Sequence, residues 1–305
     1  MKIVIVGAGA VGGVIAARLA QIGADVVCVA RGEHGRVLRE RGRIELSDER
    51  GRFRVALPCV ERVAECAGDV YLVAVKSNDT AGVLAELPRG AAVVCAQNGV
   101  SNEALAQAAG MSTYGMMVWM PAQHLEPGVV EIFSEPPGFL RVGRWPRGAD
   151  DTAEALASRL ARAGFAAAAV DDVARWKWSK LVSNLRNAVD AYFAREVKRA
   201  SMDAVMAEGR AVLDAAGIDY RDPEQLMREA SAQTPSRSAR VRAGSSMWQS
   251  VARGKPTEVE ALNGTIVALA AEHGVAAPLN QALLALARDP PSEPIVRPLA
   301  ELARR

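Results

Sequence analysis

The sequence is 305 residues long, 50% hydrophobic and 24% charged, which suits about two globular domains with a sizeable core. Its 37 basic and 35 acidic residues leave a formal net charge of +2, which gives no case for a nucleic-acid or anionic-membrane partner. No apolar run approaches the roughly 20 residues of a membrane span, and the N-terminus has neither a basic lead nor a cleavage-site pattern, so a cytoplasmic protein is expected.

Residues 3–6 form a continuous apolar run that reads as a buried parallel strand. The run enters Gly7-Ala8-Gly9-Ala10-Val11-Gly12, the spacing of a dinucleotide-binding turn. Gly7 permits the tight turn, Gly9 lets backbone approach a pyrophosphate, and Gly12 lets helix and strand pack closely. A helix over residues 11–22 would aim its N-terminal amides at that pyrophosphate, with Gly23 as its stop. The second strand spans residues 25–30 and ends at Arg31, where NAD-binding folds usually carry an acidic residue for the ribose 2′-hydroxyl. A guanidinium there suits a 2′-phosphate, so NADP(H) is expected rather than NAD, although a solvated surface arginine would read the same way.

Residues 33–41 read as a helix ended by Gly42, and residues 43–57 as a short hairpin or strands. A buried strand over 69–76 ends in Lys76, a helix covers 80–87, and a strand over 91–96 ends in Gln97-Asn98-Gly99. Both strand ends deliver polar residues to the carboxyl edge, where open α/β sheets bind ligands. Taken singly, Lys76 is a snorkelling strand-end lysine and Asn98-Gly99 a turn. Residues 111–143 read as antiparallel strands added to the sheet, around a turn at Glu126-Pro127-Gly128, and Met116 to Met120 form a bulky strip suited to core packing. A helix over 150–163 and a strand over 165–170 complete this half.

The expected boundary is Asp171-Asp172, which gives an α/β Rossmann-type domain over 1–171 and an all-α domain over 172–305. The second half carries helical periodicity broken at Gly217, Pro223, Gly254-Lys255-Pro256 and Gly274, then a loose Pro-rich tail and a last short helix. The 4 cysteines and 3 histidines lack metal-ligand spacing, so no metal is expected, and all seven read as structural. Lys180 and Asn184 lie four residues apart on one helical face, and Ser245-Ser246 reads as a helix cap.

In order, these motifs are the glycine turn, Arg31, Val75-Lys76, QNG at 97–99, KLxxN at 180–184, SSMxQ at 245–249 and Thr257-Glu258. The combination, along nearly the whole chain, resembles the ketopantoate reductase (2-dehydropantoate 2-reductase) family. The resemblance implies NADPH-dependent reduction of a 2-oxo acid to a 2-hydroxy acid. It makes Lys180 the general acid and Glu258 the carboxylate that holds the ammonium. It gives Asn98, Asn184 and Ser246 hydrogen bonds to substrate, and sets Lys76 and Asn98 beside the nicotinamide. The chemistry is coherent, because a ketone that gains hydride develops negative charge on oxygen, which a cationic donor stabilises and protonates.

The sequence departs from the family pattern in three places. Ala188 replaces a second asparagine four residues after KLxxN, with Asn187 offset by one residue, or about 100° of helix. Residues 192–198 are bulky and charged, and Ser250 stands where an aspartate is usual. Ketopantoate and a related 2-oxo acid or ketone both stay open as substrates, with Arg186 or Arg242 as replacement carboxylate contacts. A regulator that senses NADP without turnover is a rival from another class, but it would have no need of an acid. The oligomeric state stays open too, a homodimer included.

Overall fold

The computed structural model describes residues 1–236, 244–252, 254 and 256–303, apart from the side chain of Ser246. It divides into two compact units. The first contains Met1–Gln97, Asn102–Trp176 and the described residues from Arg228; the second contains Asn98–Ser101, Lys177–Met227 and the described C-terminal stretch.

The chain opens with β1 (Ile3–Val6), α1 (Ala10–Gln21), β2 (Val26–Val29) and α2 (Gly32–Arg41). Gly42 ends α2 in the left-handed conformation, with φ 60°, as expected of a glycine stop. There follow β3 (Arg43–Asp48), β4 (Gly51–Ala56), β5 (Cys59–Val60), β6 (Val70–Val73), α3 (Thr80–Ala85), β7 (Ala92–Cys95) and α4 (Ser101–Ala108). Then come β8 (Ser112–Trp119), β9 (Ala122–Gln123), β10 (Val129–Ile132), β11 (Phe139–Arg144), α5 (Asp151–Arg162) and β12 (Ala166–Ala169).

Among the described residues these strands form an eight-stranded sheet, in the order β12-β11-β8-β7-β6-β1-β2-β5, and a four-stranded one, β4-β3-β10-β9. In the larger sheet every pairing is parallel except β8 with β11. The strand order reverses beside β1, which is where doubly wound sheets bind ligands at their carboxyl edge. The antiparallel reading of 111–143 therefore holds only in part. Strand β8 returns through α4 and lies parallel to β7, as a crossover connection requires. Strands β9 and β10 leave the large sheet altogether, and β10 pairs parallel with β3 of the hairpin. Met116 and Met117 are core residues.

Helix α1 lies against both sheets. Its residues Val14, Ile15 and Leu19 share one apolar cluster with Ile3 and Ile5 of β1, Ile44 and Leu46 of β3, and Val130 and Ile132 of β10. A helix covered on two sides must be apolar nearly all round, and α1 is buried from Gly12 through Leu19. Its one buried charge, Arg18, bonds Asp48 at 2.8 Å. The other face of the large sheet packs Val4, Val6, Tyr71 and Val73 with Val83 and Leu84 of α3 and Ala106 of α4.

The second unit is helical. It takes in α6 (Val173–Tyr192) from Lys177 onward, α7 (Arg195–Ala215), the start of α8 (Pro223–Gln233), α9 (Ser246–Val251), a π-helical turn Glu260–Gly264 that runs into α10 (Thr265–Glu272), α11 (Pro278–Arg288) and α12 (Leu299–Leu302). Leu181, Leu185, Val205, Leu213, Ile266 and Leu283 are buried in it. The tail is less loose than expected. Ile295 bridges Phe193, with its N–H donating to the Tyr192 carbonyl at 2.9 Å, and Leu299 is buried. No helix among the described residues is long and apolar enough to cross a membrane.

His34 of α2 ties the glycine turn to the turn before β10. Its Nδ1 accepts the Gly128 N–H at 2.9 Å, so Nε2 carries the proton and donates to the Ala8 carbonyl at 2.9 Å. Burial, reinforced by the neighbouring His124 ring, pulls its pKa from 6.5 down to about 4. The unfolded chain therefore takes up this proton first as pH falls. Stability should be independent of this group above pH 6.5, decline between 6.5 and about 4, and change no further below that. Thermal melts from pH 7 to 4.5 should show a smaller drop in Tm for His34→Gln than for the unaltered protein; equal drops would count against it.

Candidate functional site

The glycine turn has the form its spacing predicts. Gly7 adopts φ +100°, and a Cβ there would lie 2.8 Å from the Val75 side chain. A Cβ at Gly12 would lie only 2.0 Å from the Gly7 carbonyl oxygen, so this position cannot carry a side chain without a shift in backbone. Gly9 is different. No protein atom lies within 4 Å of a Cβ built on it, and as N-cap of α1 it contributes no side-chain hydrogen bond. The first amides of α1, from Ala10 and Val11 onward, therefore begin beside open space with the positive end of the helix dipole behind them. Amides placed in this way can hold an anionic group.

Two further residues reach the same carboxyl edge. Arg31 follows β2 as the N-cap of α2, and Lys76 follows β6 as the N-cap of a short 3₁₀ turn, Ser77–Asp79. Arg31 Nη2 lies 3.5 Å from Asp79 Oδ1, a partner the sequence reading did not anticipate. Below these residues a buried polar relay ties the strand-end loops together. Gln97 Nε2 donates to Thr80 Oγ1 at 2.6 Å, Thr80 Oγ1 to Asn102 Oδ1 at 2.8 Å, and Asn102 Nδ2 to Ser77 Oγ at 3.2 Å. The Lys76 loop is thus anchored through its neighbour Ser77.

In the helical unit the expected residues converge from sequence positions far apart. Asn184 of α6 is buried and donates through Nδ2 to Asn98 Oδ1 at 3.1 Å. Asn98 Nδ2 in turn donates to Glu258 Oε2 at 3.4 Å. Lys180 precedes Asn184 by one turn of α6 and is half-buried. The Asn98 loop is held by close backbone approach, since Gly99 adopts φ +81° and a Cβ on it would lie 2.8 Å from the Ala261 carbonyl oxygen. Ala261 belongs to the π-helical turn that follows Glu258, a distortion often found at functional sites.

The Ser245 hydroxyl caps α9 by accepting the Trp248 N–H at 3.2 Å. Ser246 begins that helix, but its side chain lies outside the described residues, as does Arg242. A clamp that no motif signalled fixes this cap. Asp190 accepts the Ser245 N–H at 2.8 Å and the Lys198 ammonium at 2.9 Å. Burial of Asp190 opposes ionisation, but the Ser245 amide and the Lys198 charge outweigh it and hold the carboxyl below its ordinary value. The bulky charged segment 192–198 thus contributes an anchor, and Tyr192 and Phe193 are buried. Ala188 and Ser250 are buried, and burial lowers the pKa of Arg186 against the opposing charge of Asp190. Cys28 and Cys95 are buried free thiols, and burial pushes Cys28 well up, away from nucleophilic character.

Comparison with known proteins covers nearly the whole chain. Residues 3–147 match the family described as Ketopantoate reductase PanE/ApbA, and residues 172–290 match Ketopantoate reductase PanE/ApbA C terminal. A 2-dehydropantoate 2-reductase of Archaeoglobus fulgidus is 32% identical over 310 positions, covering 94% of this chain and 97% of the relative. The crystal structure of a PanE/ApbA family ketopantoate reductase from Ralstonia eutropha JMP134 superposes with a TM-score of 0.80 at 28% identity, over 100% of both chains. A D-mandelate dehydrogenase solved with NADH and anilino(oxo)acetate shares the fold, with a TM-score of 0.80 at 23% identity over 95% of this chain and 98% of that one. On its sequence match, its domain order and its fold, this chain belongs to the ketopantoate reductase family.

Proposed function

We propose that this chain is an NADPH-dependent reductase that converts ketopantoate to pantoate in the cytoplasm. In this reading residues 1–171 hold the dinucleotide and residues 172–305 supply the substrate contacts and the proton. The observation that carries it is the hydrogen-bonded run Asn184–Asn98–Glu258, with Lys180 one helical turn from Asn184. The open cradle at Gly9 supports the dinucleotide assignment.

When bound, NADPH supplies the hydride that makes the keto carbon a carbinol and leaves negative charge on its oxygen. Lys180 donates its Nζ proton to that oxygen, having first stabilised the developing charge. Glu258 orients the ammonium, while Asn98, Asn184 and Ser246 hydrogen-bond the substrate and fix its carbonyl toward the donor. Arg31 receives the 2′-phosphate, and Lys76 supplies positive charge beside the nicotinamide.

A second reading keeps this chemistry and changes the substrate to another 2-oxo acid or ketone. Its support is the buried Ala188, whose methyl offers no hydrogen bond at the position where the family pattern carries a second asparagine. A ketopantoate site loses discrimination with each hydroxyl or carboxylate donor it lacks. Oxidation of NADPH should be followed with ketopantoate beside a panel of branched 2-oxo acids. Efficient turnover of ketopantoate supports the first reading; turnover of another oxo acid alone supports the second.

Lys180→Ala should lower kcat by about 10²- to 10⁴-fold while leaving NADPH affinity intact. Retained turnover would remove Lys180 from the mechanism. The two helix-start glycines should separate binding from folding. Gly9→Ala should keep the Tm and weaken NADPH binding, because its methyl enters the cradle and not protein. Gly12→Ala should lower the Tm, since overpacking costs about 1–3 kcal/mol. Calorimetry and a fluorescence titration of both variants check this, and unchanged NADPH binding in Gly9→Ala would refute the cradle.

A further inference from the structure

Strand β1 is flanked by β2 on one side and β6 on the other, so residues that follow those strands arrive on either side of the glycine turn. One delivers a cation and the other an anion. Arg31 caps α2 after β2, and Asp79 ends the 3₁₀ turn after β6, where it also stands as N-cap of α3. Asp79 makes no side-chain capping bond to α3. Its Oδ1 turns instead to Arg31 Nη2 at 3.5 Å.

An ion pair this open to water, with side chains 65% and 51% exposed, contributes little to stability. Its consequence is for what the guanidinium can bind. An arginine with a carboxylate beside it is partly neutralised, so it draws an incoming 2′-phosphate less strongly. A ribose 2′-hydroxyl has no such conflict, because it donates readily to a carboxylate. We propose that Asp79 is the residue that sets dinucleotide preference, by pairing with Arg31 and so narrowing the advantage of NADPH over NADH. The proposal rests on the dinucleotide reading above. It predicts an enzyme that accepts both cofactors, with the balance held by one carboxylate.

The test is the affinity of purified protein for NADPH and for NADH, measured by nucleotide fluorescence without substrate. Asp79→Asn removes the charge at nearly constant shape and stays a residue suited to an N-cap position, and Asp79→Ser provides a second variant should the first fold poorly. Releasing Arg31 from its counter-charge should raise the ratio Kd(NADH)/Kd(NADPH) by roughly five- to ten-fold. In an Arg31→Ala background the same substitutions should shift the ratio less than about two-fold, since the pair is already broken. A ratio within two-fold of the unaltered protein in both single variants overturns the proposal. A full shift that persists without Arg31 overturns the pairing and makes Asp79 a direct neighbour of the ribose. If the unaltered protein binds neither dinucleotide, the dinucleotide reading itself fails, and this proposal with it.

Discussion

Helix α1 approaches the turn before it so closely that a Cβ at Gly12 would lie 2.0 Å from the Gly7 carbonyl oxygen, and much of the N-terminal unit follows from that approach. One turn of helix is pinned to the end of β1, so the remaining turns run back over the sheet. At Gly13 a Cβ would lie 2.7 Å from a Val130 methyl, which shows how tightly the small sheet closes over the other side of α1. A single short helix is therefore the shared core of two sheets. Each buried valine, leucine or isoleucine there contributes roughly 1.5–3 kcal/mol, and from Gly12 through Leu19 every residue of the helix is buried. The same packing leaves the helix start open at Gly9, where there is no side chain to fill the space.

Around this apolar framework the loops at the carboxyl edge are held by polar contacts. The bonds that link Gln97, Thr80 and Asn102 are buried, so each replaces one that water can no longer supply. His34 serves the glycine turn in the same way, and it can do so only as the neutral ring, because Nδ1 must accept from Gly128. In the helical unit Asp190 has the corresponding role at the start of α9, with Lys198 making its burial tolerable. Through these contacts the strand-end loops, the glycine turn and the start of α9 are each anchored.

The placement of Asn98 shows how a motif gains meaning from packing. As Asn-Gly it is an ordinary turn. With Gly99 lying against the Ala261 carbonyl and Asn98 bonded to both Asn184 and Glu258, the segment Asn98–Ser101 belongs to the helical unit, although the strand before it belongs to the sheet. The close backbone contact requires glycine, and the double hydrogen bond requires an amide that donates and accepts at once.

What the sequence determined by itself was the local and the periodic. The run into Gly7, Gly9 and Gly12, the glycine stop at Gly42, and the change from strand to helical spacing near residue 171 depend on neighbours within a few residues. The order of weak motifs was equally legible, and it pointed to the family. Only tertiary structure decided which strands share a sheet. The apolar residues of β10 suit a strand in either sheet, and only the fold pairs it with β3, where Val130 and Ile132 pack in one cluster with residues of α1. Tertiary structure likewise brought Asp79 to Arg31 and Asp190 to Ser245, across 48 and 55 positions of chain. Such pairs leave no local trace, because a carboxylate that will meet a distant arginine or amide is written in the sequence like any solvated one.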